Sequence, residues 1–318
     1  MEILFLGTSS GAPTKTRNVS AIALLESKGK AWYLVDCGEG TQQQILNSQL
    51  SLTTMAGLFI THLHGDHCYG LPGLLASAGL NGRTSLLKIV APAGTEEWIE
   101  QTQQLSELYL PYELEFITPE TVDNAAFGQF SVTSFPLSHR IECFGFSFVE
   151  AVVEATLNVE KLQQAGIPKG PLWGELKSGK DIDFNGIKYI ANEFNRVARK
   201  PRKIIICGDN DNPDLLESVC VDCDVLVHES TYAESMKERA ISVGHSYARL
   251  IALFAEKKSI PNLLLTHVSA RYANGAVLED EARLVYSGNL HLAEDFDKFR
   301  LAGTGLVELV ESEYDQVY

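Results

Sequence analysis

The chain has 318 residues, of which 45% are hydrophobic and 21% are charged, so it can bury a sizeable core. These proportions exclude the disordered, fibrous and membrane-embedded classes of protein. Its 26 basic and 41 acidic side chains give a formal net charge of −15, which at first argues against a nucleic-acid partner, since such partners require a basic surface. No apolar run approaches the roughly 20 residues that a bilayer span needs, so no membrane partner is predicted.

The N-terminus and the cysteines both indicate a compartment. Residues 1–7 carry no basic leader, which predicts a strand rather than a signal peptide and makes cytoplasmic location the expectation. The six cysteines are too few and too scattered for a disulfide framework, so we expect reduced thiols. Cys220 and Cys223 have the spacing of a zinc knuckle but no second pair, which favours two core-facing thiols over a metal site.

Short apolar runs alternate with helical patterns along the chain. The predicted strands, in chain order, are Ile3–Leu6, Ala21–Leu25, Trp32–Val35, Gly57–Ile60, Leu86–Val90, Phe130–Leu137, Lys203–Cys207, Val225–Val227 and Asn262–Leu265. The predicted helices are Thr41–Gln49, Leu71–Leu80, Thr95–Leu108 and Ser246–Lys257. This alternation predicts an α/β fold with a buried sheet or sheets.

One segment, at about residues 155–186, interrupts the alternation. Five glycines and prolines fall within the nine residues 166–174, a density that a compact core cannot easily absorb. The segment is therefore either a surface loop between strands or a protruding arm that touches a partner.

Four candidate metal ligands lie within six residues directly after a predicted strand: His62, His64, Asp66 and His67. Histidines at positions i and i+2 of an extended turn can point the same way, and the following Asp-His pair can point the other way. This spacing suits two adjacent cations better than one. Imidazole and carboxylate groups are the ligands that zinc and similar divalent ions prefer. A single histidine is usually a satisfied core residue, but such crowding is rarely structural.

Further ligands are expected at the ends of other strands. His139, Asp209 and His267 each lie just past the carboxyl end of an apolar run, which is where open α/β sheets place their sites. Taken singly, each has an ordinary alternative as a helix cap or a hydrogen-bonded loop residue. Their shared placement favours the metal-ligand interpretation.

Two residues are candidates for moving protons. Glu229 ends a predicted strand and His245 precedes a predicted helix. A glutamate bonded to a histidine fixes its tautomer and raises its basicity, as a general acid for an oxyanion leaving group requires. The alternative for His245 is a helix-start histidine with no partner. His228 and His291 have no comparable setting and are interpreted as structural.

The loop after the first predicted strand offers two cations. Residues 7–13 lack the lysine of a Walker loop and the glycine spacing of a dinucleotide-binding loop, so a tight turn is predicted. Lys15 and Arg17 follow on the same loop, where they would either hold a phosphate or be solvated.

Together, the motif at residues 61–67 and the downstream His139, Asp209 and His267 resemble the metallo-β-lactamase superfamily. Nearly the whole chain resembles one branch of it, the short-form ribonuclease Z family, which processes the 3′ ends of transfer RNA. The other segments that carry this resemblance are Phe5–Thr8, Pro13–Asn18, Asp36–Thr41, Gly166–Pro171, Leu176–Gly179 and His267–Tyr272. Lactamases and thioesterases of the superfamily lack the Pro13–Asn18 loop and the arm.

The resemblance implies a four-layer αβ/βα sandwich with a protruding arm. It implies a single domain over residues 1–318, with a tRNA-binding arm inserted at about 155–186. It further implies a homodimer in which the arm of one subunit grips the precursor tRNA that the other cuts, with no DNA partner. The implied cofactors are two Zn²⁺ ions per subunit, with Mn²⁺ or other divalent ions as alternatives.

The resemblance also implies residue roles. The ligands of one zinc ion would be His62, His64 and His139, those of the other would be Asp66, His67 and His267, and Asp209 would bridge them. The catalytic residues would be Asp66, which positions and deprotonates the attacking water, and Glu229 and His245, which donate the proton to the leaving 3′ oxygen. The substrate-binding residues would be Lys15, Arg17, Lys169 and Lys177.

Three residues depart from the family pattern, and two other functions stay open. Asn210 and Tyr247 stand where threonine is common and Ser230 stands for alanine, which leaves the ligands intact and changes their surroundings. One alternative is a superfamily hydrolase of small phosphodiesters, esters or thioesters, which has no use for the arm. The other is a non-catalytic scaffold that binds metal and RNA, which would be expected to have lost Asp66, Glu229 or His245.

The negative charge is not spread evenly. Residues 161–203 hold ten cations and four anions, a net charge of +6, which leaves −21 on the rest of the chain. An acidic body with a basic arm can grip one part of an RNA while repelling polyanions elsewhere. The charge distribution therefore predicts that RNA binds at the arm.

Overall fold

Several strands of this chain are apolar at every position, as expected of strands that are covered on both faces. A computed structural model, which describes residues 1–153, 155–197, 199–272 and 274–310, shows what covers each face. In one such strand Ile204 and Ile206 pack into one apolar cluster, whereas Ile205 and Cys207 pack into another. The period-2 alternation of side chains thus places consecutive residues in two separate cores.

The chain divides into two compact units, one made of residues 1–149 with the chain from 203 onward, the other of residues 150–202. The first 150 residues contain β1 (Glu2–Gly7), β2 (Ser9–Ser10), β3 (Ala21–Leu25), β4 (Trp32–Val35), α1 (Thr41–Leu46), β5 (Met55–Phe59), α2 (Gly65–Cys68), α3 (Leu71–Leu80), β6 (Leu87–Val90), α4 (Thr95–Ser106), β7 (Leu114–Ile117), β8 (Ala125–Phe127), β9 (Phe130–Leu137) and β10 (Cys143–Glu150). The smaller unit contains β11 (Ala155–Leu157), α5 (Val159–Gln164), α6 (Pro171–Lys177), β12 (Ile182–Phe184), β13 (Ile187–Tyr189), α7 (Ala191–Phe194) and β14 (Asn195–Val197). The remainder contains β15 (Lys203–Cys207), β16 (Val225–Glu229), α8 (Lys237–Ser242), α9 (Ala248–Lys257), β17 (Asn262–Thr266), β18 (Val268–Ser269), α10 (Ala276–Arg283), β19 (Asn289–Leu292), β20 (Lys298–Leu301) and β21 (Val307–Val310).

Two large sheets form the larger unit. Within the described residues, the first sheet has the strand order β21-β20-β1-β3-β4-β5-β6-β7 and the second has the order β19-β17-β16-β15-β10-β9-β8. Strands β4 to β7 run parallel, and so do β15, β16, β17 and β19. Because the carboxyl ends of parallel strands meet at one edge of a sheet, the loops that leave these strands lie side by side.

An apolar cluster joins the two sheets. The ring of Phe59 on β5 lies 5.2 Å from that of Phe146 and 5.1 Å from that of Phe148, both on β10 of the second sheet. All three side chains are fully buried. Edge-to-face ring contacts of this kind add to the stabilisation from buried apolar area, so the sheets are held together next to the strand that leads to His62.

Helices cover the outer face of each sheet. Ile45 of α1, Leu74 of α3 and Ile99 of α4 pack in the cluster outside the first sheet. Ile251 of α9 and Leu278 of α10 do the same outside the second. The order of layers is therefore helix, sheet, sheet, helix, and the predicted α/β fold is confirmed. Every helix in the described part of the chain is too short or too polar to cross a membrane.

The smaller unit has an apolar core of its own. Its buried residues are Leu162, Ile167, Leu176, Ile182, Ala191 and Phe194. Strand β11 pairs with β14, and β12 pairs with β13 as a hairpin. The sequence places the insertion at about residues 155–186, whereas this unit spans residues 150–202 because β14 and the chain leading to β15 close it.

Most predicted elements lie within a few residues of the observed ones. The helix predicted from Thr41 ends at Leu46 rather than Gln49, and the helix predicted from Ser246 begins at Ala248. Cys220 and Cys223 are buried in the cluster outside the second sheet, as the core-facing interpretation expects. The remaining strands and helices, among them the eight-residue, largely buried strand β10, strands β19 to β21 and helix α10, were not predicted.

Gly208, directly after β15, lies in close contact with Thr61, which follows β5, and with Cys143 on β10. A Cβ atom at this position would lie 2.6 Å from Thr61 Cβ and 2.7 Å from Cys143 Sγ. We expect Gly208→Ala to lower the free energy of unfolding by about 1–3 kcal/mol, because buried neighbours on two strands would have to move. Urea denaturation measures the change.

The matched control is Gly303→Ala, because a Cβ atom at Gly303 would have no neighbour within 4 Å. We expect this variant to unfold at the urea concentration of the parent protein. Equal effects of the two substitutions would show that the space around Gly208 does not limit the packing of the sheets.

Candidate metal centre

The predicted ligands meet at the carboxyl ends of strands from both sheets. His62 and His64 follow β5 of the first sheet. His139, Asp209 and His267 follow β9, β15 and β17 of the second. Residues up to 205 positions apart in the chain are thereby brought together, and their side chains form two groups of potential metal ligands; Asp209 and His267 also form a third group with His245.

The first cluster consists of His62, His64, His139 and Asp209. The Nδ1 atom of His64 lies 3.1 Å from Nε2 of His62 and 3.0 Å from Nε2 of His139. Asp209 Oδ2 lies 3.6 Å from His62 Nε2 and 3.7 Å from His139 Nε2. Three imidazoles and one carboxylate oxygen therefore face a common point.

The second cluster consists of Asp66, His67 and His267. The Nε2 atoms of His67 and His267 lie 3.2 Å apart, and Asp66 Oδ2 lies 3.6 and 3.3 Å from them. Asp209 Oδ1 lies 3.6 Å from His67 Nε2 and 3.4 Å from His267 Nε2. Asp209 thus directs one carboxylate oxygen at each cluster.

These separations are those of ligands around a shared ion. Ligand nitrogens about 2.0–2.1 Å from a tetrahedral zinc ion lie about 3.3 Å apart. His64 Nδ1 faces two other ring nitrogens, and a single proton can satisfy only one of them. A shared cation removes this conflict between lone pairs, so the donor set fits divalent metal ions.

Outer hydrogen bonds fix the orientation of four of the imidazoles. The ring Nδ1–H groups donate to the following acceptors: His62 to Thr61 Oγ1 (3.0 Å), His67 to Asp36 Oδ2 (2.7 Å), His139 to the Gly244 carbonyl (2.6 Å) and His267 to Thr231 Oγ1 (2.9 Å). The Thr61 hydroxyl itself donates to Asp36, and the Thr231 hydroxyl to Glu229, so each must accept from its histidine. In its neutral form, each of these four rings therefore presents the lone pair of Nε2 to its cluster, as a metal ligand requires.

The local electrostatics keep His62, His64 and Asp66 in the form that binds metal. At His67, burial acts to lower the pKa, but the Asp36 and Asp209 charges outweigh it and raise that pKa to about 10, so a metal ion must displace a proton from this ring. Burial and the neighbouring imidazoles hold the pKa of His62 and of His64 below its usual value, so both rings are neutral. Burial acts to raise the pKa of Asp66, but the neighbouring imidazoles of His267 and His67 and the donating Gly11 N–H outweigh it and hold that pKa well below its usual range. Asp66 is therefore an ionised carboxylate.

Glu229 is buried with both oxygens occupied. Its Oε1 atom accepts from the N–H groups of Asn210 (3.1 Å) and Ser246 (3.0 Å) and from His245 Nδ1–H (3.1 Å). Its Oε2 atom accepts from the Thr231 hydroxyl. Burial lowers the pKa of His245, but the Glu229 charge outweighs this and raises it to about 9. Glu229 thus orients His245 by accepting from its Nδ1–H and stabilises the protonated form of its ring.

A cleft of about 340 Å³ gives access to this centre. Its walls include His64, Asp66 and His245 together with Tyr69 and Arg140. Ligands of both clusters and His245 are therefore reached from one opening.

Comparison with known proteins identifies the family. The chain is 47% identical over 316 residues to a Pseudomonas putida protein named Ribonuclease Z, a match that covers 97% of this chain and 99% of that protein. The chain belongs to the ribonuclease Z family. Among solved structures, human tRNase Z, short form, matches with a TM-score of 0.67 and 29% identity, over 95% of this chain and 100% of that one. The predicted resemblance to the ribonuclease Z family is confirmed.

The fold comparison agrees with the layers described above. The metallo-β-lactamase fold protein YhfI of Bacillus subtilis matches with a TM-score of 0.66 at 18% identity, over 93% of this chain and 98% of that one. The predicted metallo-β-lactamase-type sandwich is thereby confirmed. A family model described as Anti-Pycsar protein Apyc1 also matches residues 1–104. Because that match covers about a third of the chain, it does not define the family of the whole.

The predicted substrate-binding residues of this ribonuclease Z family member lie in different settings. Lys15 is exposed, whereas Arg17 is buried and donates to Thr8 Oγ1 (2.7 Å) and to the Ala293 carbonyl (2.6 Å). Lys169 and Lys177 are exposed on the smaller unit. The contacts of Arg17 hold its own loop in place, and a contact of any of the four with RNA stays a prediction.

The three departures from the family pattern are accommodated around the centre. Asn210 Oδ1 accepts from the Ser138 N–H (3.1 Å), and its amide nitrogen lies 3.1 Å from Nε2 of the buried His228. Ser230 donates to the Thr266 carbonyl (3.3 Å). The backbone of Tyr247 forms an isolated parallel β-bridge with that of Tyr232. Asn210 therefore ties the chain after Asp209 to the chain before His139.

Sequence reasoning did not assign a role to three residues that support the ligands. Asp36 accepts from both His67 and Thr61, Thr231 joins His267 to Glu229, and the Gly11 N–H donates to Asp66 Oδ2 (2.7 Å). Asp36 follows the buried strand β4, which is the same signal that drew attention to Asp209. The other two carry no such signal.

We predict that Asp36→Asn weakens metal binding at both clusters. The amide places N–H groups where His67 Nδ1–H and the Thr61 hydroxyl need an acceptor, so both supported rings lose their orientation. Metal affinity is expected to fall by about 10- to 100-fold, as for other outer partners of metal-ligating histidines. Competition with a chromogenic zinc chelator measures it.

Asp123→Asn is the matched control, because Asp123 is exposed and bonds only the neighbouring Asn124 among the contacts described. It should bind metal like the parent protein. An Asp36→Asn variant with undiminished affinity would show that the Asp36 hydrogen bonds do not support the ligands.

Proposed function

We propose that this protein is a zinc-dependent endoribonuclease that removes the 3′ trailer from precursor tRNA by two-metal hydrolysis and leaves a 3′-hydroxyl on the tRNA. The observation that carries the proposal is the position of Asp209, whose two oxygens face two separate histidine clusters in a member of the ribonuclease Z family. The names of the relatives supply the substrate class, and the site supplies the chemistry.

The residues of the two clusters are those that would hold the ions. His62, His64 and His139 would bind one, Asp66, His67 and His267 the other, and Asp209 would bridge them. When bound, two divalent ions supply the positive charge that lowers the pKa of a water molecule and neutralises charge building on the phosphate oxygens. Zinc suits the imidazole-rich set, and Mn²⁺ is the alternative.

Asp66 is the residue placed to accept a proton from the attacking water. Its carboxylate lines the cleft, and the Gly11 N–H fixes its orientation by donating to Oδ2. Because Asp66 is ionised, it can position a water molecule through one hydrogen bond and take its proton as the oxygen attacks phosphorus.

His245 is placed to return a proton to the leaving group. Glu229 accepts from Nδ1–H, which leaves the other side of the ring to face the cleft. As the bond from phosphorus to the 3′ oxygen breaks, His245 donates a proton to that oxygen, which becomes the 3′-hydroxyl of the tRNA. Glu229, whose oxygens are occupied by donors, orients His245 rather than donating a proton itself.

The smaller unit is the proposed tRNA-binding arm. Within the described residues, Lys180 pairs with Glu175 and Lys188 with Asp181, whereas the exposed Lys169 and Lys177 have no acidic partner. Unpaired cations are available to phosphate groups, and they bind without sequence preference. This arm is the feature that a hydrolase of small molecules would not need.

The proposal includes a cytoplasmic homodimer. All six cysteines are buried free thiols, which is typical of a reducing compartment. We propose that the arm of one subunit serves the metal centre of the other, and that neither DNA nor a membrane is a partner.

We predict that two substitutions separate metal binding from proton transfer. Asp209→Ala removes an oxygen from both clusters, so cleavage of precursor tRNA should be abolished and bound zinc lost. His245→Ala leaves the ligands in place, so zinc should be retained while turnover falls by about two to four orders of magnitude, the usual range for a general acid. Single-turnover cleavage and metal analysis of both variants provide the measurements.

Three outcomes would contradict this assignment. Full activity of Asp209→Ala with metal still bound would remove Asp209 from the centre. Unchanged single-turnover rates for His245→Ala would remove His245 from the mechanism. If the parent protein cleaves bis(p-nitrophenyl) phosphate but leaves precursor tRNA intact under zinc or manganese, the small-molecule hydrolase is the better reading.

We also predict a selective effect of the arm lysines. Replacing Lys169 and Lys177 together by alanine should raise KM for precursor tRNA and lower the slope of log KM against log salt by about 2, one unit for each lost phosphate contact. Turnover of bis(p-nitrophenyl) phosphate should not change. Point substitutions are preferred to deletion because helices α5 and α6 belong to the core of the unit.

The matched control is the Lys180→Ala, Lys188→Ala variant, which removes two lysines that are already paired with carboxylates. For this variant, the slope of log KM against log salt concentration should lie much closer to that of the parent protein. Equal slopes for parent and Lys169→Ala, Lys177→Ala would exclude these two lysines from phosphate binding.

A further inference from the structure

A half-buried carboxylate outside both clusters, Asp295, holds the loop after β1. Asp295 Oδ1 accepts from the Thr8 hydroxyl (2.7 Å), and Oδ2 accepts from the Asn18 N–H (2.6 Å) and from Gln44 Nε2 (2.9 Å). These donors belong to both ends of the loop 8–18 and to helix α1. Burial raises the pKa of Asp295 to about 6, so at pH 7–8 the carboxylate is ionised and can accept from all three donors.

The base of the loop is closed around this carboxylate. The N–H groups of Thr8 and Ser9 both donate to the Asn18 carbonyl (2.9 and 2.8 Å). Buried Arg17 donates to the same Thr8 hydroxyl that donates to Asp295. Because Arg17 has no acceptor atom and Asp295 no donor, the hydroxyl is fixed in one orientation.

The loop contacts the second cluster at two places. The Gly11 N–H donates to Asp66 Oδ2 (2.7 Å), and Gly11 has a positive φ of 74° that suits glycine. Strand β2 of the same loop pairs with β18, so that Ser9 lies opposite Val268, the residue after His267. The Val268 N–H also donates to the Thr8 carbonyl (2.8 Å).

The first cluster is supported differently. The partners of its rings are Thr61 and the Gly244 carbonyl, which belong to other parts of the chain. Among the hydrogen bonds and strand pairings of the described residues, the loop 8–18 bonds Asp66 and the chain after His267, and none joins it to His62, His64 or His139. In these contacts the loop therefore supports the second cluster and not the rings of the first.

We propose that Asp295 is a positioning residue for the second cluster: it anchors the loop 8–18, and the loop sets Asp66 through the Gly11 N–H and His267 through the β2–β18 pairing. This inference rests on the proposed function, in that each cluster binds an ion. It predicts that losing the anchor weakens the second ion selectively.

The test is a stepwise zinc or Co²⁺ titration of the metal-free Asp295→Asn variant. The new amide directs N–H groups at one of the sites where Thr8, Asn18 and Gln44 donate. We expect the tight first binding step to be retained and the dissociation constant of the second ion to rise by about 10- to 100-fold, the range for lost outer partners of metal ligands. Single-turnover cleavage of precursor tRNA should fall and should recover at high metal concentration.

Asp297→Asn is the matched control, because Asp297 is a partly buried carboxylate two residues away that accepts from the Glu294 N–H and not from the loop. It should titrate like the parent. If Asp295→Asn does not fold, Thr8→Val tests the same anchor, since it removes the hydroxyl between Arg17 and Asp295 while keeping the shape of the side chain.

Two results would overturn the inference. One is an unchanged second binding step in both Asp295→Asn and Thr8→Val. The other is an equal loss of affinity at both steps, which would mean that Asp295 supports the fold as a whole. If the parent protein binds fewer than two ions, the two-metal proposal itself is refuted. The number of ions bound by the parent protein is therefore measured before the variants are compared.

Discussion

The structure of this centre depends on one carboxylate that serves two groups of imidazoles. Asp209 is buried, and its oxygens face His62 and His139 on one side and His67 and His267 on the other. A buried charge is costly unless it is paired or bonded to a metal. Asp209 reaches this position because β15 delivers it to the edge where the second sheet meets the chain leaving β5.

The backbone around the ligands is held in conformations that few residues adopt. Asp36 has a φ of 61° and His267 a φ of 59°, both in the left-handed region. Such conformations cost about 1–2 kcal/mol for a residue with a side chain and persist only where neighbouring contacts impose them. Here those contacts are the hydrogen bonds of Asp36 to Thr61 and His67, and of His267 to Thr231, so orientation of the ligands is maintained against local strain.

Charge and chemistry are distributed over different parts of the chain. The candidate metal ligands belong to the larger unit, and the excess of cations lies in residues 161–203, most of which belong to the smaller one. The smaller unit has its own core, and its lysines lie both on regular elements, such as Lys177 on α6 and Lys188 on β13, and on loops, such as Lys169 between α5 and α6. An acidic protein with a separate basic unit can bind a polyanion at one place without binding it everywhere.

The sequence by itself determined the elements whose pattern is local. Strands buried on both faces are apolar at every position, and the crowded motif at His62–His67 is visible because its ligands are close in the chain. Candidates such as Asp209 followed from their place at strand ends. Strands β20 and β21 were not predicted because polar residues interrupt their apolar ones and no continuous apolar run forms; β21 is the edge strand of the first sheet, and β20 lies between it and β1.

Tertiary structure alone decided which polar groups support the ligands. Thr8 and Asp295 are 287 positions apart, and a hydrogen bond between such residues leaves no periodic trace in the sequence. For the same reason the sequence did not show that the Arg17 guanidinium bonds Thr8 and Ala293, or that the smaller unit extends beyond the predicted insertion at residues 155–186. The candidate ligands could be identified from residue type and local position in the sequence. The atoms that orient them could be identified only from contacts between distant parts of the chain.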